Sequence, residues 1–182
     1  EAAHLKLDLL RATVLENQWI PQEPTCKQAD FLTTPEREVL FGGAAGGGKS
    51  SSLLMAALQF VDIPGYSAIL FRRTYADLSR AGALMDRARD WLQGKAHWNG
   101  TEHKWRFPSG ASLEFGYLEN ENDKDNYRSA EYHFVGFDEA TTFTESMYRF
   151  LFSRLRRLKT SAIPIRMRSG SNPSAAAARS SQ

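Results

Sequence analysis

Phe41 to Ser52 reads FGGAAGGGKSSS. Inside it lies G-x-x-x-x-G-K-S, running from Gly43 through Ala44, Ala45, Gly46 and Gly47 to Gly48, Lys49 and Ser50. That is the pattern of a phosphate-binding loop, with Ser51 extending the nucleotide-binding run. Its glycines let backbone N–H groups turn inward around phosphates, in conformations that a Cβ would obstruct. Lys49 supplies a point charge to the β- and γ-phosphates, and the Ser50 hydroxyl suits Mg²⁺. A helix starting near Lys49 aims its N-terminal N–H groups and its dipole at the same phosphates. The flanks agree. Val39-Leu40-Phe41 reads as a short buried strand, and Leu53, Leu54, Ala57 and Leu58 recur at helical spacing. A flexible glycine-rich linker needs neither the Lys-Ser pair nor the flanking elements.

A second stretch completes the pattern. Phe134 to Glu139, FVGFDE, is an apolar run ending in two carboxylates. In P-loop hydrolases this is the Walker B strand, partner to the Walker A loop. Asp138 is placed to coordinate Mg²⁺, directly or through water, and Glu139 to orient and deprotonate the attacking water. A Glu directly after that Asp separates ATP-hydrolysing motors from most GTPases and kinases. Further on, Ser169-Gly170-Ser171-Asn172-Pro173 is expected in the loop after the next strand. Ser171 and Asn172 are its candidates for touching the γ-phosphate or the attacking water, although SGSNP also fills ordinary turns.

Size and charge bound the alternatives. The 182 residues suit one α/β domain, and 42% hydrophobic content is enough for a sizeable core. The 23 basic and 21 acidic residues leave a net charge of +2, so any nucleic-acid surface must be local. Cys26 is the single cysteine, which excludes an internal disulfide and a cysteine-based zinc site. No apolar run approaches a membrane span, and the N-terminus lacks a signal-peptide pattern, so no membrane partner is expected.

Strands alternate with helices along the chain. A short amphipathic helix is expected over Leu5 to Leu15, covering the domain or docking on a partner, then an extended connector through Pro21 and Pro24, then a helix over Thr25 to Leu32. After the phosphate loop come a buried strand over Ala68 to Phe71 and a helix over Tyr75 to Leu92. A β-hairpin follows from Trp105 to Tyr117, turning at Pro108-Ser109-Gly110. Glu119 to Arg128 reads as an exposed loop, Phe143 to Leu158 as a helix with a basic end, and Ile163 to Met167 as the last strand. This order implies a three-layer α/β P-loop fold of the RecA/ASCE kind with a mostly parallel sheet. The expected division is 1–34 as helix and adenine-side lead-in, 35–173 as the ATPase core, and 174–182 as a disordered tail or a cloning remnant.

REVLFGGAAGGGKS, ILFRRTYADL, FVGFDEATTFTE, RLRR and SNP, in this order from about Gln22 to Pro173, resemble the ATPase domain of the large terminase subunit of tailed bacteriophages. The resemblance implies an ATP- and Mg²⁺-dependent motor that drives double-stranded DNA into a preformed capsid in the host cytoplasm. It implies self-association into a ring docked on a portal protein, with a small terminase subunit as further partner. A nuclease domain normally follows; the chain has no room for it and resembles an isolated motor domain. By position, Lys49 and Ser50 fall on Walker A, Asp138 and Glu139 on Walker B, and Ser171 and Asn172 on the coupling motif. Pro24-Thr25-Cys26-Lys27-Gln28 matches the adenine-side region, and the Gln28 amide has the geometry to pair with adenine N6 and N7. A solvated helix residue is the plainer reading of Gln28.

Relatives that carry an Arg inside the phosphate loop use it on their own ATP. Ala44 to Gly47 contain none, so the resemblance points to an Arg offered by a neighbouring subunit. Arg128, just ahead of the Walker B strand, is the candidate, with Arg72 and Arg73 as rivals. Alternatively Arg128 pairs with Glu121, Asp123 or Asp125 in its own loop. Candidate DNA contacts are Lys104 and Arg106 near the hairpin and Arg154 and Arg156 in the late basic segment, each of which is also readable as a solvated charge. Two other functions remain open: another nucleic-acid motor such as a helicase core, which normally needs a second motor domain, and a non-hydrolysing nucleotide switch or docking module, against which Glu139 speaks.

Overall fold

A computed structural model describes residues 1–43, 48–159 and 162–172 of the chain. Its strands are β1 (Glu38–Gly42), β2 (Ser67–Arg72), β3 (His97–Asn99), β4 (Lys104–Arg106), β5 (Ser112–Tyr117), β6 (Phe134–Asp138) and β7 (Arg166–Ser171). They form one seven-stranded sheet in the order β1-β7-β6-β2-β5-β4-β3. The strands from β1 across to β5 pair in parallel, and β4 and β3 extend the sheet antiparallel. The helices are α1 (Ala2–Leu10), α2 (Cys26–Thr33), α3 (Lys49–Leu58), α4 (Tyr75–Ser79), α5 (Leu84–Leu92) and α6 (Glu145–Phe152).

Period-two alternation divides the core into two. Ala68 and Leu70 of β2 join Leu53, Leu54 and Leu58 of α3 and Ala88 and Leu92 of α5 on one face. Ile69 and Phe71 join Met147 and Leu151 of α6 on the other. Two helical layers on a mostly parallel sheet give the expected three-layer architecture. α3 lies between β6, β7, α2 and α5, which explains why KSSSLLMAAL carries no polar stripe. Burying each of Leu53, Leu54, Met55 and Leu58 contributes about 1.5–3 kcal/mol.

Several boundaries differ from expectation, each for a physical reason. β1 is an edge strand, and Leu40 is 63% exposed. The helix expected over Tyr75 to Leu92 is broken at Arg80–Ala83, where Gly82 takes φ +77° and its N–H donates to Asp86. The helix expected to reach Leu158 stops at Phe152, because Leu155 turns inward and bridges Tyr132 beside β6. α1 forms, but Leu5, Leu7 and Leu9 are exposed. Leu7 lies about 200° around the helix from Leu5, while Leu9 returns to within about 40° of Leu5, so the three do not form one stripe. A π-helical turn over Arg11–Leu15 delivers Val14 to the core instead.

The last strand lies later than expected, and Ser169 to Ser171 are inside it rather than in a following loop. RMRSGS does not look like a central buried strand, yet all six residues are buried. Arg168 donates to the carbonyls of Thr34, Glu36 and Arg37 at 3.0–3.2 Å. Arg166 donates to Gln59 Oε1 at 2.7 Å and Ala56 O at 2.9 Å, with its guanidinium 4.7 Å from the Phe60 ring centre and 5.1 Å from that of Phe134. Acceptors and ring faces take the place of solvent around both cations. Burial still lowers the Arg168 pKa to about 10.

Candidate functional site

The amino end of α3 and the carboxyl ends of β2, β6 and β7 meet at one edge of the sheet. There the Ser50 hydroxyl donates to Asp138 Oδ2 at 3.0 Å, joining residues 88 positions apart. Asp138 ends a wholly buried strand and is itself buried. The same Oδ2 accepts from Arg72 at the end of β2, at 2.9 Å. A hydroxyl and a carboxylate side by side are hard oxygen donors suited to Mg²⁺. Among the described residues no group of three or more His, Cys, Asp or Glu could hold a metal. An ion at this point would therefore draw the rest of its shell from substrate oxygens and water.

Gly48 precedes α3 with φ +71° and ψ 23°. An added Cβ would lie 2.6 Å from Gln28 Nε2. Gln28 is buried; its Nε2 donates to Gly48 O at 3.1 Å, and its Oε1 accepts the Thr25 N–H at 3.0 Å. With the Thr25 hydroxyl accepting the Gln28 N–H, this is a capping box that ties α2 to the start of α3. In this conformation both ends of the Gln28 amide are engaged within the protein. Lys49 Nζ donates to Gly43 O at 3.0 Å across the loop mouth. Ala44, Ala45, Gly46 and Gly47 lie outside the described residues, as do Pro173 and the 174–182 tail.

Glu139 directly follows β6 in the left-handed region, at φ 54° and ψ 55°. Such a conformation is costly outside glycine and concentrates at functional positions. Its carbonyl is held by the Thr142 N–H at 3.0 Å and the Thr142 hydroxyl at 2.7 Å. These bonds close a turn over Glu139 to Thr142. Ser171, at the end of β7, donates to Thr141 Oγ1 at 3.2 Å and so reaches this turn. Asn172 Oδ1 is buried with no hydrogen-bond partner among the described residues.

Arg128 sits at the end of a 3₁₀ turn over Glu121–Tyr127, where a plain loop is expected. Its side chain is 71% exposed and donates to Asp125 at 2.9 Å. Arg154 donates to Arg128 O, and Arg156 donates to Ser153 O and Leu155 O. Both therefore hold the turn after α6 and are not on a helix. Lys104 lies 3.9 Å from Glu114, and Arg106 pairs with Glu102 at 3.0 Å. These four do not converge on the site.

Other residues are brought in that sequence reading missed or gave to a neighbouring subunit's site. Arg72, read as a rival finger, reaches Asp138 of its own chain. Arg73 donates to Thr142 O and Glu119 O, both at 3.0 Å, fastening the turn after Glu139 to the chain after β5. Arg87 of α5 donates to the Ser51 hydroxyl. The signal for Arg72 and Arg73 was their place at a strand end; Arg87 carries none.

The family model described as terminase large subunit, T4likevirus-type, N-terminal, matches residues 40–163, more than half of the chain. The chain belongs to this terminase family. A search of curated protein sequences finds no match. Solved structures carry the same fold. The large terminase of bacteriophage HK97 matches with TM-score 0.62 at 12% identity, over 84% of this chain and 34% of that one. The large terminase of a thermophilic bacteriophage matches with TM-score 0.64 at 14% identity, over 84% and 40%; it has also been solved in complex with ADP. The large terminase ATPase domain of Thermus phage P74-26 matches with TM-score 0.60 at 16% identity, over 86% and 68%. This terminase chain thus spans about a third of the HK97 protein and two-fifths of the thermophilic phage protein.

Proposed function

We propose that this terminase domain hydrolyses ATP with Mg²⁺ and that the hydrolysis drives double-stranded DNA into a capsid. The observation that carries this reading is the 3.0 Å hydrogen bond from Ser50 to Asp138, which joins the Walker A and Walker B elements at one point. Ser50 and Asp138 would hold Mg²⁺, which would supply charge neutralisation to the phosphates. Lys49 contributes a cation to the same phosphates, and the α3 N-terminus contributes backbone N–H groups. Glu139 orients a water and takes its proton as the water attacks the γ-phosphorus; ADP leaves. Ser171 and Asn172 link that turn to the end of β7. Arg128, exposed ahead of β6, is the finger offered to a neighbouring subunit's ATP, which requires self-association into a ring. The portal protein and the small terminase subunit are the further partners of that assembly in the host cytoplasm.

Phosphate release from ATP tests the reading, measured for the domain alone and with portal and duplex DNA, with and without Mg²⁺. The expected result is slow turnover alone, faster turnover in the assembly, and none without Mg²⁺ or in Lys49→Ala. Turnover by Lys49→Ala at the wild-type rate would refute it.

A further inference from the structure

The Arg72–Asp138 contact has no task in the mechanism just given. Asp138 Oδ2 already accepts from Ser50 at 3.0 Å, and Arg72 adds a second donor at 2.9 Å. The Arg72 side chain is 21% exposed, that of Asp138 4%. Arg72 Nε is buried and has no hydrogen-bond partner among the described residues. Arg168, whose Nε is likewise buried and unpartnered among the described residues, spreads its other donors over the carbonyls of Thr34, Glu36 and Arg37. Arg72 instead makes one strong contact, on the oxygen best placed for a metal ion. Its position follows from the sheet: β2 and β6 pair with Phe71 opposite Phe137, so the next residues are Arg72 and Asp138. Phe71 faces the α6 side of the sheet, and Arg72 therefore faces the α3 side, where Lys49 and Ser50 lie.

We propose that Arg72 is a placeholder cation for the metal site. With no nucleotide bound, its guanidinium neutralises Asp138 and holds that carboxylate against Ser50. A divalent ion bound between Ser50 and Asp138 would face a positive charge on the same oxygen, so ion and guanidinium exclude one another. Metal entry therefore displaces Arg72, and the freed guanidinium lies on the phosphate side of the sheet. The pair sets a threshold: metal alone competes poorly with Arg72, whereas metal arriving with nucleotide phosphates displaces it. Arg72 is a positioning residue in the empty state. The proposal rests on the nucleotide-site reading above.

Calorimetric titration of ADP into the 182-residue chain tests it, in EDTA and across a series of Mg²⁺ concentrations, for wild type, Arg72→Gln and Arg72→Lys. Arg72→Gln should lower the Mg²⁺ concentration at half-maximal enhancement of ADP affinity by about tenfold or more, because a competitor for one carboxylate oxygen is gone. Arg72→Lys, which keeps the charge on a shorter reach, should lower the midpoint by less than Arg72→Gln but still below wild type. Thermal unfolding gives a second readout: Arg72→Gln should melt below wild type in EDTA and recover with Mg²⁺ and ADP. An unchanged Mg²⁺ midpoint in Arg72→Gln overturns the proposal and leaves the nucleotide site standing. Weaker ADP binding by that variant in EDTA and Mg²⁺ alike also overturns it, because Arg72 would then be a phosphate ligand. If wild type binds no ADP under any condition, the nucleotide-site reading falls and the proposal with it. If Arg72→Gln fails to fold, the Arg72→Lys midpoint decides: Lys reaches less far than Arg, and a midpoint no lower than wild type counts against displacement.

Discussion

Gly48→Ala strikes the hinge between the phosphate loop and α3, and its cost divides into two parts. The backbone sits at φ +71° and ψ 23°, which costs a non-glycine residue about 1–2 kcal/mol. The new Cβ would also lie 2.6 Å from Gln28 Nε2. That amide must move, which breaks its bonds to Gly48 O and the Thr25 N–H. Two neutral hydrogen bonds contribute about 0.5–1.5 kcal/mol each, so displacement adds about 1–3 kcal/mol. Gly48→Ala should therefore destabilise the fold by about 2–5 kcal/mol. Gln28→Ala alone loses the capping box and the Gly48 link, at about 1–3 kcal/mol. With Gln28 absent, Gly48→Ala should cost only its backbone part. Urea unfolding of the four proteins forms a double-mutant cycle, with an expected coupling of about 1–3 kcal/mol. Strict additivity would refute the claim that Gln28 is the obstacle, and a Gly48→Ala cost below about 0.5 kcal/mol would refute both parts.

Arg128→Ala should leave monomer ATP affinity nearly unchanged and abolish turnover in the assembly; mixing it with Glu139→Ala subunits should restore some activity, and no recovery at any ratio counts against a finger acting between subunits. Arg168→Met should destabilise the fold by about 1–3 kcal/mol in chemical denaturation, since the carbonyls of Thr34, Glu36 and Arg37 lose their shared donor; an unchanged midpoint would refute that role. His133 Nδ1 accepts the Ser67 N–H at 2.9 Å, and burial lowers the His133 pKa from its ordinary value of 6.5. The unfolded state then binds the proton more readily, so this contribution is complete above about pH 6.5 and is lost as the pH falls toward the lower folded value. Stability measured between pH 7 and pH 5 should fall less steeply in His133→Gln than in wild type, and equal slopes would exclude His133 as a cause.

The phosphate loop and the β6 carboxylates are legible in sequence because phosphate chemistry restricts local residue types. Gly48, Lys49, Ser50, Asp138 and Glu139 can be named without a fold, and α3 and β6 follow from the apolar runs beside them. What stays hidden depends on contacts between distant residues. The last strand is expected to end at Met167, with Ser169 to Ser171 in a loop, and the burial of RMRSGS is explained only once the carbonyls before β1 and the rings of Phe60 and Phe134 are placed around its arginines. The end of α6 is equally hidden, because Leu155 is recruited by Tyr132 rather than stopped by a glycine or proline. β3 has three residues, too few for a periodicity. Arg72 meets Asp138 across 66 positions through the pairing of β2 with β6, which no local pattern records.

The most direct test of the central claim is the rate of phosphate release from ATP by Glu139→Ala in the active assembly, measured beside its affinity for ATP. In the proposed function Asp138, Ser50 and Lys49 hold the nucleotide, while Glu139 acts on the water alone. The variant should bind ATP like wild type and lose turnover by orders of magnitude, because the base is removed and the cradle remains. Turnover near the wild-type rate, with ATP affinity intact, would contradict the account.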